Sequence, residues 1–250
     1  MNNKKRRLAE MDKAFTDLSN SYSKLRKEFL RSEYNAKSKY CYIISAGHSG
    51  VDANGNYLTA PNKMHDHKRG TFHNGTKFYE GVFNRVIADG LCKKLKEASI
   101  VYKKLYEPVL DMTLSYKKDQ VNHIHTNIQK CILIDLHSNA FDGNARGFRV
   151  YTSKGQTASD KIATNLWHEV QKFSDKYGFK MGIQSYLDKD NDYEEQLYML
   201  RMTACPAILP EALFFDNYED ATILMREDFQ RDYVQALFNN IMWCEKNVQI

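Results

Sequence analysis

The segment CILIDLHSNA, residues 131–140, constrains the fold more than any other part of the chain. Its first half is almost wholly apolar, and an apolar run of this length fits a strand that is buried on both faces. Strands of this kind occur in sheets that helices cover on both sides. The polar residues 137–139 follow where the strand should end. We therefore expect side chains capable of chemistry at one edge of a buried sheet.

Strand-like and helix-like segments alternate along most of the chain. Helical spacing of apolar residues marks residues 76–97, 112–129, 157–177 and 218–246, and residues 39–48, 98–105, 147–153 and 205–215 have the composition of strands. The alternation predicts an α/β domain over residues 39–250, with a mixed, mostly parallel twisted sheet flanked by helices on both faces. Residues 49–75, rich in Gly, Asn and His, are expected to form a long loop.

Residues 1–38 differ from the rest of the chain and predict a separate, heptad-patterned N-terminal helix. The apolar positions repeat at alternating steps of three and four: Leu8, Met11, Phe15, Leu18, Tyr22, Leu25 and Phe29. An apolar seam needs something to cover it. The helix is expected either to form a coiled coil, which would make oligomers or dock to another protein, or to fold back on its own domain.

Composition and charge exclude little but set the broad class. The 250 residues are 42% hydrophobic and 27% charged, which is ordinary for a soluble globular protein with a core of its own. The net charge of +5 favours polyanions without choosing among them. No nucleic-acid-binding motif accompanies the basic N-terminus, so no nucleic acid partner is expected. The five cysteines form no CxxC pair, which favours reduced thiols.

The N-terminal sequence also bears on where the chain acts. The basic start is not followed by the apolar stretch of about 7–15 residues that a secretory signal contains, and no segment approaches the length of a membrane span. We therefore expect a chain that is made in the cytoplasm. If its substrate lies outside, another component must deliver it.

Four residues at predicted element ends are the candidates for chemistry. His48 and His137 follow two apolar strands, Glu211 lies in a third, and Glu80 lies near the start of a helical segment. Two imidazoles and one carboxylate form a common catalytic zinc shell with an open position for water. A second carboxylate would move the proton between the water and the leaving group. On this chemistry alone, Glu80 and Glu211 are interchangeable.

Four sequence motifs carry a resemblance to a known family: IISAGHSG around His48, YEGVFNR at Glu80, LIDLHSNA around His137, and CPAILPEALFFDN around Glu211. With these motifs in order from about residue 40 to about residue 240, the chain resembles the zinc N-acetylmuramoyl-L-alanine amidases of the Amidase_3 type, from bacteria and their phages. The resemblance implies that His48, Glu80 and His137 bind Zn²⁺. It also implies that Glu211 is the general base and acid.

The function implied by this resemblance is hydrolysis of the amide bond between N-acetylmuramic acid and the L-alanine of the peptidoglycan stem peptide. A chain without a signal peptide fits a phage lysin or a virion-associated lytic enzyme that acts on the bacterial cell wall. The N-terminal helix would then serve homo-oligomer formation or docking to a virion protein. The alternative is a catalytically inactive amidase-like domain that serves as a structural or cell-wall-binding module.

The sequence departs from the family pattern at three places. Asp135 replaces a serine in the third motif, where a carboxylate could support His137 or cap the strand. Lys117 stands where the family usually has arginine. Lysine keeps the positive charge but lacks the planar guanidinium group. Ala212 and the following leucine replace the usual residues after the catalytic glutamate. None of these positions is a proposed metal ligand.

The predicted loop supplies the candidates for substrate contact. Lys63, Lys68 or Arg69 is expected to face the peptide carboxylates or the sugar acid, and Asn139 of the third motif is a further candidate. Three histidines of the same loop favour a solvated or substrate-contacting role, with a second metal site as the alternative: His65, His67 and His73.

Overall fold

A six-stranded sheet forms the centre of the protein, which we describe from a computed structural model covering Lys13 and residues 38–59, 62–184 and 189–250. The strands are β1 (Cys41–Ala46), β4 (Tyr102–Leu105), β5 (Cys131–Asn139), β6 (Arg149–Thr152), β7 (Tyr193–Glu194) and β8 (Ala207–Phe214), and β2 (Met64–Asp66) pairs with β3 (Lys77–Tyr79) in a separate hairpin. The order in the large sheet is β4-β1-β5-β8-β6-β7. Its four neighbours β4, β1, β5 and β8 run parallel, whereas β6 runs antiparallel to β8.

Helices cover both faces of this sheet. They are α1 (Glu80–Glu97), α2 (Leu114–Asn127), α3 (Ala158–Tyr177), α4 (Tyr198–Met202), α5 (Tyr218–Leu224) and α6 (Glu227–Asn247). One face packs on α1, α3 and α6, and the other packs on α2 and α4. The predicted fold, a mostly parallel mixed sheet between helices, is confirmed.

The alternation of side chains along β1 and β5 divides the core into two clusters. Tyr42 and Ile134 point to the larger cluster under α1, α3 and α6. Ile43 and Leu133 point to the smaller cluster under α2 and α4. Because every residue of β1 is buried, neither face of the strand meets water, which explains why its sequence is apolar except for Ser45.

The start of α1 corrects the predicted boundaries. The helical pattern predicts a helix over 76–97, but the helix begins at Glu80, and the preceding residues form β3. Phe78 is fully buried in β3, because a strand points alternate side chains inward. An inward-facing residue at this position fits the period of a helix as well as that of a strand. The predicted loop over 49–75 likewise contains β2, which pairs with β3.

Other predicted elements lie close to their observed bounds, with two differences. Only residues 102–105 of the segment predicted as strand 98–105 form β4. The segment 218–246, predicted as helical, is divided into α5 and α6. The side chain of Asn217 caps α5 by accepting hydrogen bonds from the amides of Glu219 and Asp220. None of the helices in the described part of the chain combines the length and apolar character that a membrane crossing requires.

The predicted heptad helix lies outside the described residues, so the boundary between 1–38 and 39–250 stays a prediction. The described chain from Ser38 onward is tied to the end of α6. The Lys39 amide donates to Glu245 at 2.6 Å, and the Tyr40 hydroxyl donates to the Val248 carbonyl at 2.7 Å.

Candidate active site

The carboxyl ends of three neighbouring parallel strands bring the candidate residues together. His48 follows β1, His137 lies near the end of β5, and Glu211 lies in β8. His137 and Glu211 face each other as register partners on adjacent strands. Since functional groups in open α/β sheets collect at this edge, the arrangement follows from the strand order.

Glu80 joins this group from the first residue of α1. Its Oε1 lies 3.0 Å from His137 Nδ1, and its Oε2 lies 3.3 Å from His48 Nε2. The carboxylate is almost fully buried, with 1% of its surface exposed. One ligand atom from each of His48, Glu80 and His137 lies within 4.8 Å of the others, so the three residues form a group that could hold a metal ion.

The backbone around His48 is held in an unusual conformation. His48 has a φ of 62°, in the left-handed region that residues with a side chain seldom occupy. The chain then packs closely on the start of α1, because a Cβ at Gly81 would lie 2.0 Å from the Ser49 carbonyl oxygen. This contact fixes the His48 loop and the helix that carries Glu80 against each other. Strained backbone of this kind is often retained where function requires it.

The donor set of this site fits a zinc ion. His48 Nε2 and Glu80 Oε2 are both buried and have no hydrogen-bond partner among the described residues. Buried polar atoms are normally partnered, so two unpartnered donor atoms that face each other indicate a place for a cation. Two imidazoles and a carboxylate match the ligand sets of catalytic zinc sites.

The charges at the site also favour a bound cation. Burial alone would raise the pKa of Glu80, but the hydrogen bond with His137 and the nearby His48 hold that pKa well below its usual range. Burial alone would lower the pKa of His137, but the nearby Asp135 and the hydrogen bond with Glu80 raise it to about 10. The buried carboxylates therefore need a positive charge beside them, and a divalent cation held by these residues would supply it.

Glu211 lies beside this group in a different electrostatic environment. Burial raises the pKa of Glu211 to about 7; the charge of His137 opposes the rise, and that of Glu80 adds to it. Its Oε2 is buried without a hydrogen-bond partner among the described residues. A carboxyl group with a pKa near neutrality can both accept and return a proton under physiological conditions.

Asp135 and Lys117 form a supporting layer under His137. Asp135 Oδ1 lies 3.7 Å from His137 Nε2. Lys117 is 3% exposed and donates from Nζ to the Ser45 hydroxyl and the Ala46 carbonyl, both at 3.0 Å. Burial alone would raise the pKa of Asp135, but the nearby His137 and the charge of Lys117 hold it well below its usual range. The two departures from the family pattern thus lie together.

The candidates for substrate contact occupy different surroundings. Lys63 Nζ lies 3.7 Å from Glu80 Oε2, so this residue is next to the metal-ligand group. The Arg69 guanidinium instead packs 3.7 Å from the ring centre of Tyr218. Asn139 follows His137 at the end of β5, and its amide donates to the Tyr151 hydroxyl at 3.5 Å.

The loop histidines have structural partners. His67 Nε2 lies 3.1 Å from the Phe215 carbonyl oxygen, and its ring contacts the ring of His65. His73 Nδ1 accepts a bond from the Tyr79 amide at 2.9 Å. Within the described chain, the groups with metal-ligand geometry include none of these three.

Sequence reasoning missed two residues of the site. Asp111 Oδ2 lies 3.8 Å from His48 Nδ1, although the residue belongs to the irregular segment before α2. Arg149 is the register partner of Glu211 on β6, with its guanidinium 4.8 Å from the ring centre of Phe214. The position of Arg149 in a predicted strand was a usable signal, but Asp111 carried none.

Comparison with known proteins agrees with this geometry. The profile of the Amidase_3 family, N-acetylmuramoyl-L-alanine amidase, matches residues 43–242. An endolysin of Bacillus phage SPP1 is 30% identical over 108 residues, which cover 42% of this chain and 36% of the endolysin. The match thus spans about a third of the length of that relative.

Solved structures share the fold. The catalytic domain of the amidase CwlV from Bacillus (Paenibacillus) polymyxa var. colistinus superposes with a TM-score of 0.61 at 19% identity, over 82% of this chain and 97% of that domain. The catalytic domain of the CD27L endolysin, which targets Clostridia difficile, gives a TM-score of 0.56 at 20% identity, over 84% and 99%.

Proposed function

Because the chain belongs to the Amidase_3 family of N-acetylmuramoyl-L-alanine amidases, we propose that it hydrolyses the amide bond between N-acetylmuramic acid and L-alanine in peptidoglycan. The observation that carries the proposal is the convergence of His48, Glu80 and His137 beside the buried Glu211. This arrangement combines a metal-ligand group with a separate carboxylate, as metal-assisted amide hydrolysis requires.

His48, Glu80 and His137 would hold Zn²⁺ in this proposal. The bound ion would polarise the scissile carbonyl and lower the pKa of a water molecule. Glu80 is held for its role by the Ser138 amide, which lies 3.4 Å from Oε1, and by the Asn84 amide group, which lies 3.5 Å from the same oxygen. Asp135 would orient His137 through its second nitrogen.

Glu211 would move the proton. It takes a proton from the attacking water and delivers it to the nitrogen of the departing L-alanine. Its surroundings suit both steps, because burial favours its neutral form whereas the nearby charges of His137 and Lys63 favour its ionised form. Lys63, next to Glu80, would meet a carboxylate of the substrate, and Asn139, two residues after His137 on β5, is the second candidate for substrate contact.

The biological setting proposed is that of a lysin. A phage relative and a structurally similar endolysin catalytic domain both support a role in breaking down the cell wall of a bacterial host. Residues 1–38 would serve oligomer formation or docking to a virion protein, as their heptad pattern predicts.

The test is product formation from purified peptidoglycan. We expect new amino-terminal L-alanine to appear, chelator to abolish the release, and Zn²⁺ to restore it. Glu211→Gln should retain zinc but lose about 10²–10⁴-fold in turnover, which is the usual contribution of a general acid and base. His137→Ala should lose both zinc and turnover.

The control is His168→Ala, because His168 is exposed on α3, and this variant should behave like the unmodified protein. Zinc binding without any release of L-alanine termini would favour the alternative of an inactive cell-wall-binding module. Full activity in Glu211→Gln would remove Glu211 from its proposed role.

A further inference from the structure

A second group of potential metal ligands lies at the opposite end of β5 from His137. Cys131 begins this strand, Cys205 precedes β8, and His125 lies in the last turn of α2. One ligand atom from each lies within 4.8 Å of the others, and all three residues are buried. His137 is six residues further along β5, about 20 Å at the usual rise of a strand, so the two groups are separate.

The spacing within this group matches a tetrahedral metal site. Cys131 Sγ lies 3.6 Å from His125 Nδ1. With Zn–S of about 2.3 Å and Zn–N of about 2.0 Å, sulfur and nitrogen ligands on a tetrahedral zinc ion lie about 3.5 Å apart. An ion could therefore enter between these two atoms with little movement of either side chain.

His125 presents one ring nitrogen to the cysteines. The Cys131 amide donates to Nδ1 at 3.2 Å, so Nδ1 is the unprotonated nitrogen and lies on the side of Cys131. A bound ion would take the place of this amide hydrogen bond.

The charge of a zinc complex suits this position. Cys131, Cys205 and the neighbouring Cys41 lie in an apolar cluster. Zn²⁺ bound by two thiolates and a neutral imidazole has no net charge, which reduces the cost of burying the ion. A third thiolate would add one negative charge, near the ammonium groups of Lys103 and Lys130.

We propose that His125, Cys131 and Cys205 bind a second zinc ion. The fourth position of the ion would lie near Cys41, the register partner of Cys131 on β1. On binding, each coordinating thiol loses its proton to the solvent as its S–H bond is replaced by a Zn–S bond. The ion would fasten the end of α2 to the sheet. The same helix carries Lys117, which supports the candidate active site from its other end.

Cobalt binding tests this proposal without any measurement of hydrolysis. Co²⁺ replaces Zn²⁺ and absorbs strongly in the near ultraviolet only when thiolate sulfur is a ligand, and the candidate active site contains no cysteine. In the full chain carrying His48→Ala and His137→Ala, we expect one cobalt equivalent with this absorption. Adding Cys205→Ser or His125→Asn should weaken cobalt binding at least about tenfold, because each removes one ligand.

The matched control is Cys92→Ser, which alters a buried thiol in the other core cluster and should leave the absorption unchanged. Absence of the thiolate band, or an unchanged band in Cys205→Ser, would overturn the proposal. If these variants do not fold, alkylation of the folded, unmutated chain provides a second test. Zn²⁺ should slow modification of Cys131 and Cys205 about tenfold or more and leave Cys92 unaffected, and equal rates with and without Zn²⁺ would also overturn the proposal.

Discussion

At the scale of single residues, the glycine before His48 determines where the imidazole of His137 can lie. A Cβ at Gly47 would lie 2.0 Å from His137 Cε1 and 2.4 Å from its Nδ1. The Gly47 amide meanwhile donates to the Leu136 carbonyl at 2.9 Å, so the backbone cannot easily retreat. The ring of His137 thus packs directly on the backbone of the neighbouring strand end.

We predict that Gly47→Ala lowers the affinity for zinc about 10–100-fold, which is the usual cost of disturbing the support of a metal ligand. The added methyl group must displace the His137 ring from Glu80. Competition with a zinc-binding dye measures the affinity, and circular dichroism checks the fold. Gly90→Ala is the control, because the three atoms nearest to its Cβ all belong to the side chain of Val234, from 3.1 Å, and none belongs to a proposed metal ligand. Zinc affinity equal to that of the unmodified protein would contradict this account of Gly47.

Lys117 shows how the fold uses a residue at which the chain departs from the family pattern. The sequence comparison with the family left open what a lysine could do in place of arginine. In the structure its single ammonium group donates two bonds, to Ser45 and Ala46, and its charge favours the ionised form of Asp135. These contacts could not be read from the sequence, because α2 and β1 are far apart along the chain.

Lys117→Met should lower the free energy of unfolding by about 1–3 kcal/mol, because it leaves buried acceptors without their donor. Urea unfolding measures this change. Lys118→Met is the matched control, since its neighbouring pair with Asp119 lies at the surface and should matter little. Equal losses in the two variants would show that burial of Lys117 has no special effect.

At the scale of elements, the helical period located α1 but misplaced its beginning. Phe78 and Tyr79 would be buried whether this segment were helical or extended, so periodicity alone could not distinguish the two conformations. The pairing of β2 with β3 decides in favour of the strand, and this pairing depends on contacts across a loop. The consequence for the site is direct, because Glu80 becomes the first helical residue instead of one within the helix.

The β2–β3 region should lose stability in acid through His73. Burial lowers the pKa of His73 from 6.5 to about 4, so between these values the unfolded chain binds a proton that the folded chain does not. The contribution of neutral His73 is therefore complete above pH 6.5 and is lost as the pH falls towards 4. We predict that His73→Gln removes part of the fall in unfolding free energy over this range, on the order of 2 kcal/mol.

Urea unfolding at several pH values measures the difference in unfolding free energy between the two proteins. The contributions of the other titrating groups, which the two proteins share, cancel in this difference. His168→Gln, at an exposed position, should keep the pH dependence of the unmodified protein. A pH dependence unchanged by His73→Gln would mean that folding does not lower the pKa of this histidine.

At the scale of the whole molecule, the sequence predicted which segments form strands but not how all of them are ordered. Apolar runs identified β1, β5 and β8, and the convergence of His48, His137 and Glu211 followed from the rule that parallel strands share a functional edge. No such rule predicts where the antiparallel β6 joins the sheet. Its register places Arg149 opposite Glu211, a contact that depends on a reversal of direction between strands far apart in sequence.

The last prediction concerns the division of the chain near residue 38. Ser38 and Lys39 bond to Glu245 of α6, and Tyr40 bonds to Val248, so the start of the domain is fastened by contacts that residues 1–37 do not supply. If the heptad seam does not fold back on this domain, a chain of residues 38–250 should therefore melt within about 2 °C of the full chain.

Its mass in solution should also change if the heptad seam joins chains together. Light scattering should then show an oligomer for the full chain and a monomer for residues 38–250, because an apolar seam of about three heptads needs a partner to cover it. Leu18→Glu in the full chain is the matched variant, since it places a charge in the seam without shortening the chain. Equal masses together with a large drop in melting temperature on truncation would instead indicate that the N-terminal segment folds back on its own domain.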